Sequence, residues 1–188
     1  FTYGAAFARA FGPTVGSGKV TSVQIGNEPG DVADALYKQV FRGMASGIRS
    51  VDPAMIIVTC NVQNSASGTY HKNINLFSDI TDLVDAYAIH SYPMIRAWPT
   101  YEKSYPEDTG MSYLTVVQAM RAWVQTNDPT AQSWITEFGY DASSKTPTGD
   151  FLDVTDTQQA QWLVRSYMAW ADIGLERAYM YYYNDNDA

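Results

Sequence analysis

Two glutamates stand at the ends of short apolar runs, far apart in the chain but in the same local setting. The first closes the run Val20-Thr21-Ser22-Val23-Gln24-Ile25-Gly26-Asn27-Glu28-Pro29, in which Thr21, Val23 and Ile25 alternate as in a strand. Gly26 lets another backbone or a ligand approach closely, and Pro29 cannot continue a sheet ladder, so Glu28 falls at a strand's carboxyl end. The second closes Trp134-Ile135-Thr136-Glu137-Phe138-Gly139, which repeats the design. Between them, the apolar run over 83–91 ends in His90-Ser91-Tyr92-Pro93. In parallel α/β architectures, carboxyl ends of strands are where substrates bind. Two carboxyl groups held close there do not both ionise readily, and such a pair divides into an acid and a nucleophile or base. Asn27-Glu28-Pro29 alone reads equally well as a strand-to-helix turn. The second glutamate is what favours chemistry.

The elements that must position these residues alternate along the chain. Residues 1–11 read as an amphipathic helix with Tyr3, Phe7, Ala10 and Phe11 near helical spacing, stopped by Gly12-Pro13. Asp31 is placed to cap a helix over 32–50 whose apolar stripe is Leu36, Val40, Phe41, Met44 and Ile48. The near-continuous apolar run over 55–62 is the pattern of a parallel strand buried on both faces. A short helix is expected over 70–80, and a longer one over 112–126 with Leu114, Val117, Met120, Arg121 and Val124 in phase. Thr155 and Gln158 match a capping box opening a helix to Ile173, Gly174 fits its C-cap, and 177–183 is the last strand. Five strands separated by helices predict a parallel sheet with right-handed crossovers. No glycine-rich phosphate turn follows a strand, which argues against a doubly wound nucleotide fold. The expected architecture is α/β: a partial (β/α)8 TIM barrel of about five parallel strands, forming one domain over 1–188.

Composition narrows the partners. The chain of 188 residues is 46% hydrophobic and carries a net charge of −8, which argues against nucleic acid and anionic membranes as partners and leaves neutral ligands open. Fourteen Tyr and five Trp supply flat amphipathic rings suited to sugar faces, although most must be core. Cys60 is the single cysteine, so neither an intrachain disulfide nor a cysteine-based zinc site can form. No apolar run approaches the length of a membrane span. The chain opens at Phe1 inside a helical pattern and closes at Ala188 just after a strand, and so reads as part of a longer protein. The tail Asn184-Asp185-Asn186-Asp187 lacks the glycine and distal glutamate of an EF-hand loop and reads as a solvated loop, and Asp150, Asp153 and Asp156 read as loop and helix-start residues. No metal site is assigned.

Taken together, Asn27-Glu28-Pro29, His90-Ser91-Tyr92 and Thr136-Glu137-Phe138-Gly139 resemble the motifs of clan A of the glycoside hydrolases, the retaining (β/α)8 glycosidases. In that clan an Asn-Glu pair ends strand four, a His-x-Tyr motif often ends strand six, and a Glu ends strand seven. The resemblance implies that the chain holds strands four to eight, without the amino-terminal strands and the last helix. It implies that Glu28 is the acid/base and Glu137 the nucleophile, that Asn27 binds the sugar 2-OH, that Tyr92 orients Glu137, and that His90 contacts sugar or Glu28. Trp98 is a candidate sugar platform, and Tyr183 a substitute for the Trp that the clan commonly places at the end of its last strand. The implied function is hydrolysis of a neutral, β-linked polysaccharide or oligosaccharide by double displacement, with no cofactor and in an extracytoplasmic setting. A non-catalytic carbohydrate-binding protein on the same scaffold, or a fragment inactive by itself, are the alternatives. Sugar, linkage, endo or exo action and oligomeric state stay open.

Overall fold

The computed structural model of the chain describes residues 1–96, 100–142 and 154–181. Trp98, Tyr183, Asp150, Asp153 and the acidic tail lie outside the described residues. The elements run α1 (Thr2–Phe11), β1 (Ser22–Gln24), α2 (Asp34–Arg49), β2 (Ile56–Gln63), β3 (Lys72–Asn73), β4 (Ala86–His90), α3 (Tyr113–Asn127), β5 (Gln132–Phe138), α4 (Asp156–Ile173) and β6 (Arg177–Met180). The sheet order is β1-β2-β4-β5-β6, every pairing is parallel, and the two-residue β3 adds to β2 off this path. The five main strands curl into a half-barrel with helices between them, as the alternation predicts.

Two apolar layers hold the sheet. On its convex side the helices pack through a chain of rings, Tyr37, Phe41, Phe77, Tyr87 and Trp123, with neighbouring centroids 5.1–6.3 Å apart. On the concave side Val58, Ala86, Ala88 and Trp134 form a separate cluster. The alanines of β4 leave room there for the indole, over which the Arg177 guanidinium sits at 4.4 Å. β2 is buried from Ile57 to Val62, which explains why its sequence is apolar on both faces. The Thr155–Gln158 capping box forms in both directions, and Gly174 ends α4 at φ 85°. None of the described helices is long and apolar enough to cross a membrane.

Four details differ from the sequence expectation. The N-cap of α2 is Ala33 rather than Asp31, and no side chain caps it. The buried face of α2 is Tyr37, Phe41, Ala45 and Ile48, whereas Leu36 and Val40 are each 54% exposed. Tyr37 sets that rotation, because its hydroxyl donates to Ile25 O at 2.6 Å and accepts from Cys60 N at 3.2 Å, locking one ring line of the helix against β1 and β2. In α1 the small residues Gly4, Ala5 and Ala8 face inward and let it pack closely on α2, while Tyr3 and Phe11 point outward. Residues 70–80 form no α-helix; β3 is followed by a 3-10 turn, Ile74–Phe77, capped by the Asn73 side chain, and a second, Thr81–Leu83, precedes β4. The Asn75 side chain accepts from Trp123 Nε1 at 2.7 Å, and Ile74 and Phe77 are buried, so the segment is fixed by long-range contacts rather than by helical periodicity.

At the opposite end of the sheet from the glutamates, Asp52 ties the α1–β1 connection to the α2–β2 turn. Its carboxylate accepts from Thr14 N at 2.8 Å, Thr14 Oγ1 at 2.8 Å, Val15 N at 3.0 Å and Ala54 N at 3.3 Å. Burial alone would raise its pKa, but these donors outweigh burial and hold the carboxyl below its ordinary value. Protons therefore bind the unfolded chain more readily. The stabilisation is complete above the ordinary aspartate value of ~3.9 and is lost as pH falls through the lower folded value. Thermal melts of Asp52→Asn against the parent should show a Tm gap that is widest near neutrality and closes as the pH drops below that range. A gap independent of pH would contradict the assignment.

Candidate active site

Asn27, Glu28 and Glu137 reach the concave rim by local departures from regular structure. The chain after β1 turns at Gly26, whose φ of +86° favours glycine; a Cβ there would also sit a tight 3.1 Å from the Tyr37 ring. That turn carries Asn27 and Glu28 to the rim, and Asn61 N fixes it by donating to Asn27 O at 3.0 Å. Three neighbouring strand pairs each slip by one residue. Val58 faces Ala86 but Asn61 faces Ala88; Ile89 faces Ile135 but His90 faces Glu137; Ile135 faces Ala178 but Phe138 faces Met180. Strict alternation from the concave-facing Trp134 would turn Glu137 toward the helices. The extra residue in β5 returns it to the concave face, opposite His90, and the one in β2 does the same for Asn61.

Glu28, His90, Tyr92 and Glu137 are thereby brought together. His90 Nδ1 lies 2.8 Å from Glu28 Oε1 and 3.4 Å from Glu137 Oε2. Tyr92 donates its hydroxyl to Glu137 Oε2 at 3.0 Å. The donor atoms of Glu28, His90 and Glu137 all lie within 4.8 Å of one another. The imidazole is almost wholly covered, with 2% of its side chain exposed, while Glu28 and Glu137 keep 27% and 18% open to the rim. Nε2 of His90 is buried without a hydrogen-bond partner among the described residues, so the ring's polar contacts lie on its carboxylate side. Burial first, and then the Glu137 charge, push the Tyr92 phenol far above its ordinary value, which keeps it a proton donor to that carboxylate. Asn27 is exposed beside Glu28.

Three residues that the sequence reading passed over complete the frame. Asn61 accepts from His90 N through Oδ1 at 2.9 Å and donates through Nδ2 to Tyr70 O at 2.9 Å, so it joins the rims of β1, β2 and β4. Its signal was a polar amide inside the apolar run over 55–62. The other two, Lys103 and Asp141, form an ion pair linking the loop after β4 to the chain just beyond Glu137. Lys103 itself bridges Met94 in antiparallel fashion.

The same three donors, Glu28, His90 and Glu137, could surround a metal ion. Ligands of a tetrahedral zinc ion bound at ~2.0–2.1 Å are held roughly 3.3 Å apart; the 2.8 Å separation of His90 Nδ1 and Glu28 Oε1 is instead that of a direct hydrogen bond. Burial pushes the Cys60 thiol up to about 12, which removes it as a nucleophile near neutral pH. What remains is one carboxylate held by a phenol, a second carboxyl group within reach of the same space, and an imidazole between them. Such a set can transfer a proton and attack an electrophilic carbon on one ligand.

No protein-family model matches the sequence, and no curated protein matches it. Solved structures do match in shape. The bifunctional glucanase-xylanase CelM2 from a metagenome library aligns over 98% of this chain and 45% of its own, with a TM-score of 0.68 and 14% identity. A glucosidase from Croceicoccus marinus aligns over 94% and 36%, with a TM-score of 0.63 and 14% identity. A family 39 glycoside hydrolase from Bacteroides cellulosilyticus WH2 aligns over 87% and 34%, with a TM-score of 0.59 and 18% identity. The chain thus spans between about a third and a half of these proteins. At such identities the likeness establishes the fold, and at that level the resemblance to (β/α)8 glycoside hydrolases holds.

Proposed function

We propose that the protein to which this chain belongs is a retaining glycoside hydrolase, with Glu137 as nucleophile and Glu28 as general acid/base. The observation that carries this reading is the placement of both carboxyl groups on one concave rim, with their facing atoms within 4.8 Å and His90 between them. Retaining glycosidases hold the two carboxyl groups about 5–5.5 Å apart, whereas inverting ones leave ~6.5–9.5 Å for a water. The limit on the facing atoms lies nearer the retaining spacing than the inverting one, and this supports double displacement.

In the first step Glu137 attacks the anomeric carbon while Glu28 gives its proton to the departing glycosidic oxygen. The Tyr92 hydroxyl donates to Oε2 of Glu137, which holds the carboxylate in place and assigns its other oxygen to bond formation. In the second step Glu28 takes a proton from water, and the resulting hydroxide displaces Glu137 from the sugar. Asn27, exposed next to Glu28, is assigned to the sugar 2-OH.

The substrate is a neutral, β-linked oligosaccharide or polysaccharide. A net charge of −8 disfavours polyanionic chains, and the lysines of the surrounding loops, Lys72 and Lys103, are already engaged by Asp34 and Asp141. Shape neighbours with named activities include a glucanase-xylanase, a glucosidase, an endo-1,4-β-mannanase and a β-glucuronidase, and so support the carbohydrate class and not its charge. Polymers of this kind are degraded outside the cell, which gives the reading an extracytoplasmic setting. Trp98 and Tyr183 keep their assignment as sugar contacts on the sequence resemblance alone.

Proton NMR of the first product formed by the intact natural protein tests the mechanism. The newly released anomer should have the configuration of the bond cleaved, before mutarotation scrambles it. A first product of opposite configuration would replace double displacement by single displacement.

A further inference from the structure

Lys72 is 1% exposed, an unusual burial for an amine, and its surroundings explain it only as a clamp on the loop that carries Glu28. It stands on β3, held beside Val62 of β2 by parallel pairing. Its Nζ donates to Gly30 O at 3.3 Å, to Val32 O, and to Asp34 Oδ1 at 2.9 Å. All three acceptors lie in the short stretch that begins two residues after Glu28 and runs into α2. On that same stretch, a Cβ at Gly30 would fall 1.8 Å from Thr69 O, so the turn after Glu28 rests directly on the backbone just before Lys72. Pro29 O closes the turn by accepting from Val32 N at 3.0 Å.

An apolar side chain at this place would avoid the desolvation cost of a buried amine but would remove the donor from two backbone carbonyls and leave the half-exposed Asp34 carboxylate to Ser67 Oγ and solvent. The lysine satisfies all of them at once, and only in one conformation of the turn. Asn27, on the other side of Glu28, is held independently through its carbonyl by Asn61 N. Glu28 is thus fixed from both sides, by Asn61 before it and by Lys72 after it.

We propose that Lys72 is a positioning residue for Glu28: it sets the direction from which the Glu28 proton meets the leaving oxygen, without touching substrate. The proposal rests on the acid/base reading of Glu28. Misplacing a reacting group by about 1 Å costs up to 10²-fold in rate. Lys72→Met, made in the intact natural protein, is therefore expected to lower kcat/KM by about 10–10²-fold on an unactivated glycoside. On a dinitrophenyl glycoside, whose leaving group needs no proton, the loss of kcat/KM, which reports the first step, should be severalfold smaller. KM for the unactivated glycoside should change by less than about threefold, since substrate contacts are intact. The basic limb of the pH–rate profile should move as well.

Asp34→Asn is the second variant. Asp34 is half exposed, and the substitution keeps the Lys72 bonds to Gly30 O and Val32 O, so it should fold and show the same leaving-group dependence in weaker form. Glu28→Gln serves as the reference. If Glu28→Gln discriminates between the two substrates but Lys72→Met and Asp34→Asn lose activity equally on both, or only in proportion to folded protein, then Lys72 is structural and the proposal is overturned. If Lys72→Met does not fold, the Asp34→Asn ratio decides by the same criterion. If Glu28→Gln itself fails to discriminate, the acid/base reading falls and this proposal falls with it.

Discussion

Replacing Glu137 by glycine in the intact natural protein is expected to abolish hydrolysis, and added azide or formate is expected to restore turnover of activated substrates. Deleting a covalent nucleophile costs on the order of 10⁶ in rate where it has been dissected. The structure gives reasons to expect a loss of that kind rather than a collapse of the fold. Glu137 stands at the end of β5 with part of its side chain open to the rim, and its contacts are Tyr92 and His90 rather than core residues. Glycine leaves a space the size of a carboxylate, facing the Tyr92 hydroxyl and His90 Nδ1. Small anions fit that space and are drawn by the same donors. For a β-glycoside, azide entering from the nucleophile's side displaces the leaving group, gains the bond to the anomeric carbon and yields a glycosyl azide of opposite configuration. Unchanged hydrolysis in the glycine variant would end the nucleophile assignment. Tight glycan binding by the parent, with no product over long incubation, would favour the non-catalytic carbohydrate-binding alternative.

How much of this was legible in the sequence depends on which forces set each part. The alternation of strands and helices was readable because β2 is a long buried run, and because the Thr155 box and Gly174 cap are local chemistry. The 3-10 turn after Lys72 was not, since its apolar residues mimic helical spacing while its conformation is dictated by Trp123 and by the burial of Ile74 and Phe77. The face of α2 was misjudged by one residue line for a similar reason. Leu36 and Val40 have the hydropathy of core residues, but the Tyr37 hydroxyl finds its partners on β1 and β2 and turns the helix.

The site shows the same division more sharply. That Glu28, His90 and Glu137 end strands is a reading of runs and breakers. That they face one another depends on bulges, and a bulge is invisible to periodicity because it is a violation of it. Counting in twos from Trp134 sends Glu137 to the helix side; the one-residue slip opposite Ile89 and His90 reverses that. The matching slip in β2 rotates Asn61 inward, where its side chain holds the backbone of His90. The strand-end residues could therefore be picked out from the sequence, while the frame around them, Asn61 and Lys72 above all, required tertiary contacts.

Glu28→Gln carries the second large effect, and its pattern matters more than its size. Glutamine keeps the shape and the contact with His90 Nδ1 but cannot release a proton to the leaving oxygen. General acid catalysis contributes about 10²–10⁴-fold. A loss of that order is expected for substrates with alkoxide leaving groups. With a dinitrophenyl leaving group the first step should be nearly unaffected, because the departing phenolate is stable without a proton. The second step still needs a base for the attacking water, so the glycosyl-enzyme should accumulate and a burst of phenolate should precede slow turnover. In the parent, kcat/KM should fall at high pH as the acid loses its proton; in the glutamine variant that limb should vanish, since no ionisation remains there to report. A variant that loses all substrates equally and retains the basic limb would show that the proton comes from elsewhere. His90, in contact with both carboxyl groups, would then be the next residue to test.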